Sequence, residues 1–176
     1  MKFDSLTKYL LIIFFLLFAN KAYSENSIVY LDLDYILKKS VAGTSIVVQL
    51  NNLNKKNLEK LKKKETYLKK EEDKLNSQKN ILSKEELNKK ILFLRKEIED
   101  YKKLRKSMSI TSNQKMIKAQ TDLINKLTPI LAKYSEEKNI SMIVQKKNII
   151  IGKSDLDITK DILDIANKGI KKININ

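Results

Sequence analysis

The middle of the chain has a repeating pattern of hydrophobic and polar positions. One position recurs every seven residues across this region: Val47, Asn54, Leu61, Leu68, Leu75 and Leu82. No Gly or Pro interrupts residues 44–128, and a repeat of this spacing predicts a long helix with a coiled-coil-like seam. The companion positions Asn57, Lys64 and Glu71 are polar, so the seam is expected to be weak.

A second helix is predicted to begin at Ser83. Ser83 followed by Glu86 fits a capping box, in which each side chain bonds to the other residue's backbone N–H group. The chain is therefore expected to turn back near residues 76–83 and to form an antiparallel helical hairpin over residues 44–128. Arg105 is the one charged residue in the seam of the returning helix. Its apolar positions alternate by four and three: Leu87, Ile91, Leu94, Ile98, Tyr101 and Met108.

The segments on either side of the hairpin predict a small β-rich body. Strands are expected over residues 28–33, 140–145 and 149–151, the last two separated by a turn at 146–148. A short helix is expected over 34–39, a break at Ala42-Gly43, and a last helix after residues 157–159. The predicted fold class is α+β, mostly α, with a discontinuous body over residues 25–43 and 129–176 and a long coiled-coil-like arm.

This body is small for an independent core. Its predicted strands are apolar on both faces, and the chain has no Cys with which to form a disulfide. Cores of this size are marginally stable alone, so oligomerisation is expected. Four residues are expected in the oligomer body: Val29, Leu31, Ile143 and Ile150.

The first 24 residues have the pattern of a cleaved secretory signal. A basic start with Lys2 and Lys8 precedes a short apolar run, and Ala22 and Ser24 supply the small residues of a cleavage site. The run is shorter than the roughly 20 residues that a membrane-spanning helix requires. Cleavage is expected before Glu25, which would place the protein outside the cytoplasm.

The chain is strongly basic, with a formal net charge of +15, and loss of residues 1–24, which contain three Lys and one Asp, would leave +13. Only Arg95 and Arg105 are arginines, whereas phosphate-reading surfaces favour the bidentate arginine side chain, so no specific nucleic-acid partner is expected. Net positive charge still favours long-range attraction to anionic partners, such as anionic membrane lipids. An ordinary solvated, lysine-rich helix face is the alternative. The lysines predicted to contact such partners are Lys55, Lys56, Lys62, Lys63, Lys69, Lys70, Lys89, Lys96 and Lys103.

Catalysis is not expected from this composition. The chain has no His and no Cys, which removes the commonest general base, the thiolate nucleophile and the usual transition-metal ligands. Residues 152–154 resemble the end of a phosphate-binding loop, but Lys147 occupies the position of the required first glycine. Acidic pairs occur at 32/34 and 155/157, and Asp34 and Asp157 are expected near helix starts rather than on a cation. No catalytic residue, metal or cofactor is predicted.

Several short segments of the body occur in an informative order. They are Val29-Tyr30-Leu31-Asp32 with Ile36, Ser40-Val41-Ala42-Gly43, Thr128-Pro129-Ile130 with residues 140–144, and residues 156–163. With the Lys-, Glu- and Leu-rich hairpin between them, the chain resembles the Skp/OmpH family of periplasmic chaperones over essentially all of its length after residue 24. Val41 departs from the family pattern, in which Pro is usual.

The resemblance implies a homotrimer whose β-rich segments form a barrel-like body and whose three helical hairpins surround a cavity. It implies ATP-independent holding of unfolded outer-membrane proteins in the periplasm, which prevents their aggregation in transit, and no enzymatic activity. Some family members bind lipopolysaccharide, a further expected partner to which no residue is assigned. A structural coiled-coil spacer or tether of the cell envelope is the alternative, and a non-specific nucleic-acid binder is disfavoured by the export signal.

Overall fold

The computed structural model describes residues 27–175, so the predicted signal segment lies outside the described residues. The described chain is mostly helical, as predicted, with the order β1 (Ser27–Leu31), α1 (Leu33–Lys39), α2 (Val41–Gln78), α3 (Lys84–Lys138), β2 (Ile140–Gln145) and α4 (Thr159–Gly169). Two 3₁₀ turns, Lys146–Asn148 and Ser154–Leu156, lie between β2 and α4. None of the helices within residues 27–175 is long and apolar enough to cross a membrane.

The two strands pair in parallel although they lie at opposite ends of the chain. Val29 is opposite Ile143, and Leu31 is opposite Gln145. Parallel strands require a crossover connection, and here the whole helical hairpin is that connection. At the end of α3, Asn139 adopts a left-handed conformation (φ 54°) and turns the chain directly into β2. This positive φ is one that Asn tolerates better than most residues.

The core lies where the strands, α1, α4 and the body ends of α2 and α3 meet. Its fully buried large side chains include Ile36, Leu123, Leu127 and Ile162. Pro129 lies inside α3 between core residues, next to Ile130, which packs against the same cluster. The body and the base of the hairpin therefore share one hydrophobic core.

Ser40 and Gly43 form the junction between α1 and α2. The predicted break at Ala42-Gly43 is wrong, because α2 already begins at Val41 and Ser40 is its N-cap. The N–H of Gly43 donates to Ser40 Oγ at 3.0 Å. A Cβ on Gly43 would lie 2.0 Å from the carbonyl oxygen of Leu37. Glycine is therefore required here for close packing of two helices, not as a helix breaker.

The hairpin and its turn are confirmed. α2 ends at Gln78 and α3 begins after Ser83, with both bonds of the capping box present. In the seam, Leu68 is buried at 8% exposure. Its heptad neighbours in α2 and the predicted apolar seam positions of α3 are half-buried: Leu61, Leu75, Leu82, Leu87, Ile91, Leu94, Ile98, Tyr101 and Met108.

The seam register near the body differs from the prediction. Val47 is 49% exposed, and Asn54 is also exposed. The inward-facing positions there are Ile46, Leu50 and Leu53. Between Leu53 and Leu61 the seam advances by two steps of four residues, a stutter that shifts the heptad register. Packing against the body thus sets the register of α2 near the body. The leucine repeat sets the register of α2 only from Leu61 toward the tip.

The predicted strand over residues 149–151 is wrong, and Leu33 belongs to α1 rather than to β1. Ile149 N–H donates to Lys146 O at 3.0 Å, which closes a turn instead of extending β2. The segment just before α4 occupies the other edge of β1, because Ile158 N–H donates to Tyr30 O at 3.0 Å. Within one chain residues 149–151 therefore have no strand partner, and Ile150 and Ile151 are 99% and 91% exposed.

Candidate functional site

The lysines predicted as contact residues all project from the helical arm into solvent. The basic stripe, defined as Lys55, Lys56, Lys62, Lys63, Lys69 and Lys70, lies on α2, and Lys89, Lys96 and Lys103 lie on α3. Lys103 is paired with Glu99 at 2.7 Å, and this hydrogen bond raises the lysine pKa. Within residues 27–175 the other eight form no ion pair. The structure thus leaves eight of the nine cations available to a partner.

One polar residue of the seam, Lys64, bonds across the arm, which the sequence pattern did not predict. Lys64 forms a hydrogen-bonded ion pair with Glu97, which raises the pKa of Lys64, and its Nζ lies 5.1 Å from the centre of the Tyr67 ring. The sequence feature that could have indicated this pair is the polar residue Lys64 at a seam position. Two further pairs connect the helices: Lys90 Nζ to Gln78 Oε1 at 2.7 Å and Ser112 Oγ to Asn54 Oδ1 at 2.7 Å.

Apolar side chains are also exposed along the arm. They are distributed over both helices rather than gathered in one cavity: Val48, Leu58, Leu92, Phe93, Ile110 and Ile117. Single exposed apolar residues are ordinary on protein surfaces. Combined with the unpaired lysines, however, they give the arm many separate positions for weak apolar and electrostatic contact.

The body has a second group of exposed apolar residues. Ile28 and Met142 are opposite each other on β1 and β2 and are 53% and 56% exposed, while Ile150 and Ile151 project from the loop after β2. Of the four residues predicted in the oligomer body, Val29 and Leu31 are buried in the core of this chain and Ile143 is half-buried. Their place in an interface between copies stays a prediction. Ile150 is the one of the four that is fully available.

Two residues of the acidic pairs, Asp32 and Asp157, form structural hydrogen bonds. Asp32 Oδ1 accepts from Tyr35 N–H at 2.8 Å and caps α1, and Asp34 lies in the first turn of that helix. Asp157 accepts from Thr159 N–H at 3.0 Å and from Lys146 Nζ at 2.7 Å. Burial acts to raise the Asp157 pKa, but these hydrogen bonds outweigh it and hold the pKa below its usual range. The predicted placement of Asp34 and Asp157 near helix starts is confirmed.

The loop at Gly152 is shaped by Tyr30. A Cβ on Gly152 would lie 2.8 Å from Cε1 of the Tyr30 ring, and the Tyr30 hydroxyl donates to Lys153 O at 3.0 Å. The glycine therefore allows the loop to approach an aromatic ring. Within residues 27–175 no group of three or more Asp and Glu side chains is placed to hold a metal ion.

Fold and surface together define a class of protein in which a small α+β body carries one long antiparallel helical arm. More particularly, the chain belongs to the family described as "Outer membrane protein (OmpH-like)", whose sequence profile matches residues 27–165. A crystal structure of an OmpH-like outer-membrane chaperone from Caulobacter crescentus has the same fold, with a TM-score of 0.79 and 14% sequence identity over 84% of this chain and 87% of that one. No curated protein sequence matches this chain.

Proposed function

We propose that this protein is an ATP-independent periplasmic holdase chaperone, which binds unfolded outer-membrane β-barrel proteins in a cavity between helical arms and prevents their aggregation. The observation that carries the proposal is the arm itself. Its α2 face presents six exposed lysines without an ion pair, with single apolar residues exposed on the same helices. The family membership and the fold of the Caulobacter protein support the same function.

The chemistry of the arm suits a client that has no fixed shape. Each exposed lysine or apolar side chain offers a weak contact, so an unfolded chain could be held at many points and released at each one. Long-range attraction by the lysines would speed the encounter with acidic clients and with anionic lipid surfaces, lipopolysaccharide included. No such contact needs ATP or a catalytic group. The protein is thus proposed to bind without chemical turnover.

A homotrimer is part of this proposal. Ile28 and Met142 are neighbours on the sheet, and Ile150 and Ile151 are exposed on the loop after β2; contiguous apolar surface of this kind marks interaction sites. Two further copies would cover it and arrange three arms around a cavity. Light scattering should give a trimer at micromolar concentration, and the double substitution Ile150→Asp, Ile151→Asp should dissociate it, whereas Lys147→Asp should not. A well-folded monomer of the unmodified chain would contradict both the trimer and the cavity.

Export to the periplasm is proposed from the first 24 residues. Protein recovered from the periplasm should have the intact mass of a chain that begins at Glu25. A membrane-bound form that retains residues 1–24 would instead support the envelope spacer or tether.

The holdase function is tested by aggregation of a urea-unfolded outer-membrane barrel with and without this protein. The decisive variant replaces Lys62, Lys63, Lys69 and Lys70 with Glu. A matched control replaces four exposed lysines nearer the body, so that net charge changes equally: Lys118, Lys126, Lys160 and Lys168. Capture by the stripe variant should fall most at low salt, where the screening length is about 30 Å at 0.01 M rather than about 10 Å at 0.1 M.

Three outcomes of this test separate the possibilities. Loss in the stripe variant alone supports a contact surface on α2. Equal loss in both variants means that net charge, not the stripe, attracts clients. Failure of the unmodified protein to suppress aggregation, together with binding of one folded envelope partner, would favour the spacer or tether.

A further inference from the structure

The last described residues form an extended tail along the base of the arm. We define the tail as residues 170–175, which follow α4 and begin in an extended conformation at Ile170. Ile170 and Ile173 are buried at 6% and 4% exposure, and Ile175 packs against the same hydrophobic cluster. Asn174, between Ile173 and Ile175, is exposed. Over residues 173–175 this is the period-two pattern of an extended chain lying in a groove, whereas Lys171 and Lys172 are both exposed and the pattern does not reach back to Ile170.

Gln49 of α2 holds the tail backbone as a neighbouring strand would. Its Nε2 donates to Ile173 O at 2.6 Å, and its Oε1 accepts from Ile175 N–H at 3.4 Å. One side-chain amide thus bonds to the backbone groups on either side of Asn174, the pattern that a residue of a parallel strand makes with its partner strand. Ser45 O also accepts from Gln49 Nε2, at 3.1 Å, and fixes the amide.

The second arm helix also contacts the tail backbone. Lys115 of α3 donates from Nζ to Ile175 O at 3.4 Å. The polar bonds from the two helices to the tail at residues 173–175 therefore all go to backbone atoms. Such bonds do not depend on the tail sequence, so another extended segment with apolar side chains at alternate positions could form them equally well.

The tail also lies outside the residues that match the family profile. The match covers residues 27–165, so it stops before the end of α4 and before the whole tail. The groove is formed by α2 and α3, which lie within the profile, whereas its occupant lies outside it.

We propose that the groove at the arm base is a binding site for extended, apolar polypeptide segments, and that the tail is a resident occupant that competes with clients for it. This inference rests on the proposed holdase function and identifies one place where a client strand binds. Unfolded β-barrel strands alternate apolar and polar residues, as Ile173, Asn174 and Ile175 do. The tail would keep the groove closed until a client segment displaces it.

The first test uses a fluorescent peptide with the sequence of residues 170–176, Ile-Lys-Lys-Ile-Asn-Ile-Asn. Fluorescence anisotropy should show that it binds a chain ending at Gly169 and binds the full chain much more weakly. Gln49→Leu in the shortened chain should weaken binding about tenfold, because two hydrogen bonds of about 1 kcal/mol each are lost and part of that loss is recovered by the leucine. A urea-unfolded outer-membrane barrel should displace the peptide.

A second test keeps the chain complete, because loss of Ile170 and Ile173 could unfold the shortened form. The chain has no Cys, so Lys115→Cys with Asn174→Cys allows a short bismaleimide to lock the tail in place. The same variant treated with a monofunctional maleimide is the matched control. Locking the tail should reduce capture of the unfolded barrel several-fold relative to this control.

The outcomes distinguish this inference from the proposed function. If the full chain suppresses aggregation but the client does not displace the peptide, or if the locked and control forms capture clients equally, the tail is a structural strap and the inference is overturned. If no form suppresses aggregation, the holdase function itself fails, whatever the peptide does. Displacement of the peptide together with reduced capture by the locked form would establish both.

Discussion

The body and the outer arm are stabilised differently, although the same two helices run through both. The body buries residues of β1 and of all four α-helices, among them Val29, Ile36, Leu123 and Ile162, while β2 contributes partly buried residues. Between residues 51 and 111, by contrast, Leu68 is the one buried residue. The outer arm is held by half-buried apolar positions and by polar pairs such as Lys64–Glu97. Its stability is therefore a sum of small local terms, whereas that of the body depends on close packing.

This difference between the two regions suits the proposed holdase function. A densely packed body tolerates little change and can fix the geometry of an assembly. An outer arm with few buried contacts belongs to the low end of local stability, so it can open or bend at modest cost. A protein that holds clients of different size needs both properties in separate regions.

The largest effect is expected at the junction of α1 and α2. Gly43→Ala would place a Cβ 2.0 Å from Leu37 O, which forces two backbones apart. We expect a loss of about 3 kcal/mol or more in the free energy of unfolding, the upper part of the range for overpacking. Urea unfolding followed by circular dichroism measures it.

Thr44→Ala is the matched control for this substitution, because Thr44 is the next residue of α2 and is exposed. It should change stability by less than about 0.5 kcal/mol. In an unconstrained helix, Ala is more stable than Gly by roughly 0.5–1 kcal/mol. A Gly43→Ala protein more stable than the unmodified one would therefore show that the junction opens freely and that the body is not closely packed there.

The second effect concerns Leu68. Leu68→Ala should cost about 2–3 kcal/mol, near the lower end of the range for buried leucines, because the arm can partly collapse around the missing atoms. Leu58→Ala, at a position 68% exposed, should cost almost nothing. Helicity should be lost at lower urea in the Leu68 variant. Tyrosine fluorescence should change at higher urea when it is measured with Tyr67→Phe and Tyr101→Phe, because the other tyrosines of residues 27–175 all lie in the body. Coincident transitions would show that arm and body unfold as one unit.

Local patterns explain why the arm could be predicted from sequence. The leucine heptads require helical spacing, and Ser83 with Glu86 marks a helix start wherever it occurs. The turn at the tip, both arm helices, strand β2 and helix α4 follow from residues that are near each other in the chain. The basic stripe lies on an exposed face for the same reason, and its contact with clients stays a prediction.

Features set by distant contacts could not be predicted in this way. Val47 matches the leucine repeat, but packing of Ile46 and Leu50 against the body decides the register there. Residues 149–151 have a strand composition, but the free edge of β1 is taken by Ile158. Gln49 is an unremarkable polar residue in the sequence, and only the fold places it against the tail.

A smaller effect is expected in the body at high pH. Tyr134 O–H donates to Asp161 Oδ2 at 2.7 Å, and burial, together with this bond, raises the pKa of Tyr134 to about 12. In the unfolded chain this tyrosine ionises near pH 10. The stabilising contribution of the protonated Tyr134 side chain is therefore complete below pH 10 and is lost as the pH rises through about 12. Urea midpoints between pH 8 and pH 12 should fall less steeply for Tyr134→Phe. Parallel curves for the two proteins would mean that the hydroxyl is solvated.

The smallest effect is expected at the tip of the arm. Ser83→Ala removes the cap of α3, in which Ser83 Oγ accepts from Glu86 N–H at 3.3 Å and Glu86 Oε2 accepts from Ser83 N–H at 3.1 Å. A lost N-cap costs about 1 kcal/mol. Because no buried residue lies near the tip, the loss should be confined to the first turns of α3. Amide exchange, corrected for intrinsic rates, should increase there and stay unchanged in the body.

The capping box also gives this prediction a dependence on pH. The hydrogen bonds from Ser83 lower the pKa of Glu86 below its usual value of 4.5. A carboxylate whose pKa is lower in the folded state than in the unfolded state stabilises the fold at pH values above its unfolded-state pKa. This contribution is lost as the pH falls through the folded-state pKa. Tip protection in the unmodified protein should therefore weaken below pH 4.5, while Ser83→Ala should show a smaller change. If the substitution instead lowered protection in the body, the outer arm and the body would be one cooperative unit, and the contrast between them would be wrong.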